Sequence, residues 1–259
     1  MINAGDLVTR KSYNNDIVFE VIGIEGNEAM LKGSFIRLMA DAPLSDLVPV
    51  ERNKGQDDFC PDLDFITNLD RDEFFYLPGK VLHIDADKSY LEKCMDFYKK
   101  NKVLAYGKSM KESDMSKEVV RYLNDYNPDI LILTGHDAYL KKRDKNTNKL
   151  YKNSENFCKA VIEARKYEKN RDKLIIIAGA CQSNYQELIK SGATFASSPD
   201  RINIHALDPA IIATSLALSD RDKEVDLIEL LSKTKYGKAG IGGLRSTGTM
   251  YTGYPRSDE

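Results

Sequence analysis

The sequence predicts an α/β protein, a mostly parallel sheet with helices on both faces, preceded by a small SH3-like β-barrel module. Three observations predict it. From residue 80 onward, short apolar runs alternate with helix-period patterns, as expected of parallel strands joined by crossover helices. Two of those runs, Ile130-Leu131-Ile132-Leu133 and Leu174-Ile175-Ile176-Ile177-Ala178, are apolar without alternation, which marks strands buried on both faces. The first fifty residues instead carry short strand-like runs split by turn residues, which suits a small barrel.

In order along the chain, residues 7–9, 17–24 and 29–32 are the strand-like runs of the 1–50 module. Asn14-Asn15-Asp16 and Glu25-Gly26-Asn27-Glu28 are its turns. Residues 51–77 are dense in charge and read as a linker with one short helix. Pro78-Gly79 opens the main domain, residues 78–259. Residues 80–85 form its first strand. Residues 88–100 form an amphipathic helix with Leu91, Met95 and Tyr98 on one face. A strand follows at 103–106. A helix at 113–126 has Ser113 as its cap and Val119, Val120 and Leu123 as its apolar side. The strand at 129–134 leads, through a loop, to a helix at 154–168 with Phe157, Cys158, Val161 and Ile162 inward. A strand at 173–178, a short helix at 185–191 closed by Gly192 and a strand at 193–197 come next. Helices at 209–218 and 225–233 complete the reading. Residues 237–248, with Gly240-Ile241-Gly242-Gly243, read as a flexible turn. They lack the Gly-Lys-Ser/Thr ending that a phosphate loop needs.

Composition narrows the functional classes. A net charge of -2 offers no broad field for nucleic acid or anionic lipid, so neither partner is expected. The N-terminus lacks a basic start followed by an apolar stretch, and the apolar runs are too short to span a bilayer. A cytoplasmic protein is expected. Cys60, Cys94, Cys158 and Cys181 form no CxxC pair and only three histidines are present, so neither a metal site nor a disulfide framework is expected. No cofactor is expected, and the oligomeric state is left open.

Two buried strands end in reactive groups. One runs into Gly135-His136-Asp137, the other into Gly179-Ala180-Cys181-Gln182-Ser183, 45 residues later. In a parallel sheet both ends lie on one edge, and neighbouring strands are about 4.8 Å apart. His136 is therefore placed to take the proton of Cys181, giving a thiolate nucleophile with an imidazole general base. Gly135 and Gly179 allow sharp turns at the strand ends. Backbone N–H groups around Gly135, Asp137, Gly179 and Ala180 are candidates for an oxyanion site. A cysteine after an apolar strand is usually a packing residue, and Cys60, Cys94 and Cys158 are read so. His83, inside a strand, reads as a hydrogen-bonded core residue. His205 competes with His136 as base. Asp137 either orients an imidazole or caps the next segment.

The apolar strand ending at the histidine, followed by a second ending in Ala180-Cys181, resembles the caspase–clostripain–legumain group of cysteine peptidases. It departs from that group in having Asp137 after the histidine and Gly179 before Ala180. A longer resemblance covers nearly the whole chain. Residues 5–13, 77–85, 134–139, 178–183 and 195–209 are similar to the sporulation-specific YabG peptidase family. That resemblance implies a protease of spore assembly acting on coat and germination proteins, in the mother cell or at the forespore surface. It also implies cleavage after Arg and self-cleavage. Arg preference needs a carboxylate to hold a guanidinium. Asp85, Asp87, Asp200 and Asp208 are the candidates. Arg10, Arg52 and Arg245 are candidate self-cleavage sites. Two other classes remain open. A non-enzymatic α/β binding domain would use Asp85 and Asp87 for magnesium. A cysteine amidase would act on small substrates.

Overall fold

The computed structural model describes residues 2–50, 59, 73–140 and 150–257. The chain divides into two compact units, Met1–Cys60 and Pro61–Glu259. Most of the connector expected over 51–77 lies outside the described residues, as do Arg52 and Cys60.

The first unit is one antiparallel sheet of β1 (Leu7–Arg10), β2 (Phe19–Glu25), β3 (Glu28–Gly33), β4 (Met39–Pro43) and β5 (Leu47–Pro49), in the order β4-β3-β2-β1-β5. Alternation builds its core. Phe19 and Val21 of β2 and Ala29 and Leu31 of β3 point inward, joined by Val8, Ala42 and Leu47. The expected turn at Gly26-Asn27 joins β2 to β3. Strands β4 and β5 were not anticipated. In Met39-Ala40-Asp41-Ala42-Pro43 only Ala42 is buried, and Asp and Pro are poor strand formers.

The second unit contains β6 (Phe75–Leu77), β7 (Val81–Asp85), α1 (Lys88–Lys100), β8 (Ala105–Ser109), α2 (Glu112–Tyr126), β9 (Ile130–Thr134), α3 (Ser154–Tyr167) and β10 (Ile175–Ala178). It continues with α4 (Tyr185–Ser191), β11 (Phe195–Ser197), α5 (Asp208–Ala217), α6 (Leu227–Ser232), β12 (Ile241–Gly243) and β13 (Tyr251–Gly253). Six strands form the main sheet in the order β12-β11-β10-β9-β7-β8. All neighbours run parallel except β12, which lies antiparallel to β11 at the edge. β6 and β13 pair separately.

Successive strand residues point to opposite faces, and each face carries helices. Val81, Ile130, Ile132, Ile175 and Ile177 pack with side chains of α1, α5 and α6. Leu82, Ile84, Leu131, Leu133 and Ile176 pack with α2, α3 and α4. Helix α5 is buried at all ten positions, which explains why its sequence, apolar on every side, shows no polar face.

Several expectations are corrected. The glycine-rich stretch expected to be a turn contains β12, with Ile241 buried; glycines carry no strand signal. Helix α2 begins at Glu112, with Lys111 at the cap position and no side-chain cap, so Ser113 lies inside the first turn. Ile162, expected inward, is exposed, and Cys158 is only partly buried. β8 begins at Ala105 because Val103 still bonds back to Tyr98 at the end of α1.

Candidate active site

The site is built where β9 and β10 leave the sheet. Ile175 pairs with Ile130 and Ala178 with Leu133, a constant offset of 45 residues. Cys181 and His136 have the same offset, so the two candidates leave neighbouring parallel strands at the same height. The strand ends are tied together. The Gly179 N–H donates to Leu133 O at 2.9 Å, and the Thr134 hydroxyl donates to Gly179 O at 2.9 Å. Gly179 has φ +105°, a left-handed conformation that turns the chain out of β10. At Gly135, a Cβ would fall 2.7 Å from Ala86 Cβ and 2.8 Å from Glu112 Oε1, so only glycine fits there.

His136 is held on several sides. Its N–H donates to Glu112 Oε1 at 2.9 Å, and its carbonyl accepts from Asn153 Nδ2 at 2.8 Å. The Tyr90 ring packs against the imidazole, centroids 5.8 Å apart. Nε2 lies 3.0 Å from Asp87 Oδ2. Nδ1 is buried and makes no hydrogen bond among the described residues.

Cys181 is wholly buried. Residues 202–206, between β11 and α5, lie over it. The Ile204 N–H donates to Sγ at 3.3 Å, and Sγ is 3.9 Å from Ile204 O. The Gln182 N–H and the Ser198 hydroxyl both donate to Ile202 O, and Gln182 Nε2 donates to Asn203 Oδ1. The Cys94 thiol of α1 contacts Ala206 O at 3.4 Å, so this covering segment sits on the α1 side of the sheet.

Asp137 joins the two loops. Its carboxylate accepts from the Ala138 and Asn153 N–H groups and from the Ser154 and Ser183 hydroxyls. The Ser183 Oγ in turn accepts from the Ala180 N–H at 2.9 Å. Burial pushes the Asp137 carboxyl above the ordinary range, and the four hydrogen bonds pull against that push. Asp137 thus fixes the turn after His136, the start of α3 and the loop carrying Cys181.

The other nominated residues are distributed as follows. Asp85, at the end of β7, is fully buried; Oδ2 lies 3.6 Å from His83 Nε2 and Oδ1 accepts from the Asp87 N–H. His83 Nδ1 is 3.0 Å from the Tyr98 hydroxyl. Asp208 is fully buried and accepts from the N–H groups of His205 and Lys235. His205 is buried and its Nδ1 accepts from the Leu207 N–H. Asp200 is exposed. The Ala180 N–H is taken by Ser183 and that of Gly179 by Leu133. Arg10 is buried, its guanidinium over the Tyr13 ring, and Arg245 is exposed beside Glu224. Among the described residues, no three His, Cys, Asp or Glu side chains come together as a metal site, and no helix is long and apolar enough to cross a membrane. Sequence reasoning did not find Glu112, Ser154 or the covering role of Ile204. Glu112 lies 24 residues from His136 and carries no local signal. Ser183 carries no signal beyond its place in the Ala180-Cys181-Gln182-Ser183 run.

Comparison with known proteins matches the chain across both units. A family model described as YabG peptidase U57 matches residues 3–60 and 62–255. The sporulation-specific protease YabG of Bacillus subtilis (strain 168) is 38% identical over 284 residues, an alignment that covers 97% of this chain and 97% of that protein. A match running through both units, at that identity, leaves one assignment: the chain belongs to the YabG peptidase family.

Proposed function

We propose that this peptidase is a cysteine endopeptidase with Cys181 as nucleophile and His136 as general base. The observation that carries the reading is the register: the only cysteine at the carboxyl end of a described strand leaves β10 opposite the histidine that leaves β9. His136 takes the thiol proton, and the thiolate attacks the carbonyl carbon of the scissile bond. The carbonyl oxygen becomes an oxyanion, which we assign to backbone N–H groups of Gly135 and Asp137, those of Gly179 and Ala180 being used elsewhere. The imidazolium returns its proton to the leaving amine, and a thioester forms. Water, deprotonated by the same imidazole, then hydrolyses the thioester and regenerates the thiol. Residues 202–206 must shift for substrate to reach the sulfur.

On this reading the six-stranded sheet is that of the caspase–clostripain–legumain peptidases. The first unit is an SH3-like barrel at 1–50, joined by a connector at 51–77. Cleavage follows Arg, with Asp85 as the carboxylate of the specificity pocket. Residue 85 continues the face on which Val81 packs and His83 meets Tyr98 of α1, the side on which residues 202–206 cover the thiol. The substrates are proteins of the spore, coat and germination proteins among them, handled in the cytoplasm of the sporulating cell. Self-cleavage takes an exposed arginine, and Arg245 fits best among the described candidates.

The test is cleavage of an Arg-containing polypeptide, together with mass-spectrometric mapping of an Arg-directed acyloxymethyl ketone. Cys181→Ala should abolish both, and His136→Ala should lower kcat by roughly 10³-fold or more. Continued cleavage by Cys181→Ala would remove the assignment.

A further inference from the structure

We propose that Asp87 is the positioning residue of His136, so that the site is a Cys181–His136–Asp87 triad rather than a dyad; this rests on the roles given above to Cys181 and His136. The contact is direct. Asp87 Oδ2 lies 3.0 Å from His136 Nε2, with the two side chains only 10% and 20% exposed. At that depth water screens the pair less than it screens a surface ion pair.

The carboxylate is fixed before the histidine is considered. Asp87 caps α1: Oδ1 accepts from the N–H groups of Ser89 and Tyr90 at 2.9 and 3.2 Å and from the Ser89 hydroxyl at 2.8 Å. Its own N–H donates to Asp85 Oδ1 at 2.9 Å. One oxygen therefore anchors the helix and the other faces the imidazole. The helix start, the end of β7 and the loop after β9 meet at this one side chain.

The consequence for the imidazole is its tautomer. A carboxylate only accepts, so Nε2 carries the hydrogen and Nδ1 keeps the lone pair. Nδ1 is the buried nitrogen that makes no hydrogen bond among the described residues, and so is the atom available to take a proton from Cys181. Once Nδ1 is protonated, Asp87 stabilises the imidazolium, as an outer carboxylate does for any histidine base. Glu112 holds the backbone of the same residue and Tyr90 packs on its ring; Asp137 follows it in the chain but is committed to Ser154, Ser183, Asn153 and Ala138.

The dual role of Asp87 makes the test clean. Asn and Ser cap a helix about as well as Asp. Asp87→Asn removes the charge facing Nε2, and Asp87→Ser is too short to reach it. Both variants should keep the thermal midpoint of the full-length protein within about 2 °C. Both should lower kcat on an Arg peptide by roughly 10²–10⁴-fold with little change in KM. Asp87→Glu should recover at least tenfold of the lost kcat while losing stability, because Glu is a poorer cap. Wild-type kcat in Asp87→Asn, with Cys181→Ala and His136→Ala inactive, would overturn the triad and leave the dyad standing. Equal losses of kcat and stability in Asn, Ser and Glu variants would reduce Asp87 to a cap and also overturn it. Activity in Cys181→Ala would take down both readings.

Discussion

A carboxylate that accepts four hydrogen bonds is a fixed point, and Asp137 sets the geometry around it. Asp137→Ala would strand the Ser154 and Ser183 hydroxyls and the part-buried N–H groups of Ala138 and Asn153. We expect a loss of about 3–5 kcal/mol in urea unfolding. Ser183→Ala is the sharper probe. It leaves Asp137 three donors but removes the acceptor of the Ala180 N–H, next to Cys181. Its expected cost is about 1–3 kcal/mol, with a fall in kcat that stability alone does not explain. Unchanged kcat in a stably folded Ser183→Ala would show that the loop holds Cys181 without this bridge. The proposed preference for Arg also rests on one residue. Asp85→Asn keeps shape and the hydrogen bond from Asp87 N–H but loses the charge. Turnover of Arg substrates should fall by roughly 10²-fold relative to Leu substrates. Equal falls on both would assign Asp85 to structure. The motifs around these side chains were legible in the sequence, since Gly135-His136-Asp137 and Ala180-Cys181-Gln182-Ser183 close two apolar runs. The bonds between them were not, because Asp137 and Ser183 are 46 residues apart, and Asp87 and His136 are 49 apart. Only the folded sheet brings such positions together.

The elements best read from sequence are those with a single strong local cause. Helix α1 spans the expected 88–100, and α4 ends where expected at Gly192, whose φ of +118° suits glycine alone. The elements missed are short or chemically mute: β12 is two-thirds glycine, and β6 and β13 are three-residue strands that exist only by pairing with each other. The covering segment belongs with these. The expected elements end at residue 197 and resume at 209, and nothing local announces that Ile204 will seal the thiol. Its effect is measurable. Ile204 is fully buried, so Ile204→Ala should weaken the segment by about 2 kcal/mol and raise the open fraction roughly tenfold or more. Alkylation of Cys181 by iodoacetamide should accelerate by that factor. Cys158 is an internal control, because burial pushes its thiol up and keeps it in the unreactive protonated form. Faster labelling of both cysteines would indicate general loosening, and no change at Cys181 would show that another element limits access.

At the scale of the whole molecule, the division into units follows from the cores. Val8, Phe19, Val21 and Leu31 close one cluster within the first unit, while the two clusters flanking the six-stranded sheet lie wholly in the second. The short strand-like runs of the first fifty residues and the continuous apolar runs after residue 80 set two parts of the sequence apart, with the charged stretch 51–77 read as a linker between them. Every residue to which we assign chemistry, from Asp85 to Cys181, lies in the second unit. A unit of about 200 residues buries enough apolar surface to fold alone. A fragment of residues 61–259 should therefore unfold in one cooperative transition, and its Cys181 should react with the Arg-directed ketone at a rate within about threefold of the intact chain. Cleavage of a folded protein substrate is the discriminating measurement. If it falls while ketone labelling holds, the first unit recruits substrate. If labelling falls with it, and the fragment remains cooperatively folded, the first unit acts on the geometry of the site and the independence argued from the cores does not extend to function.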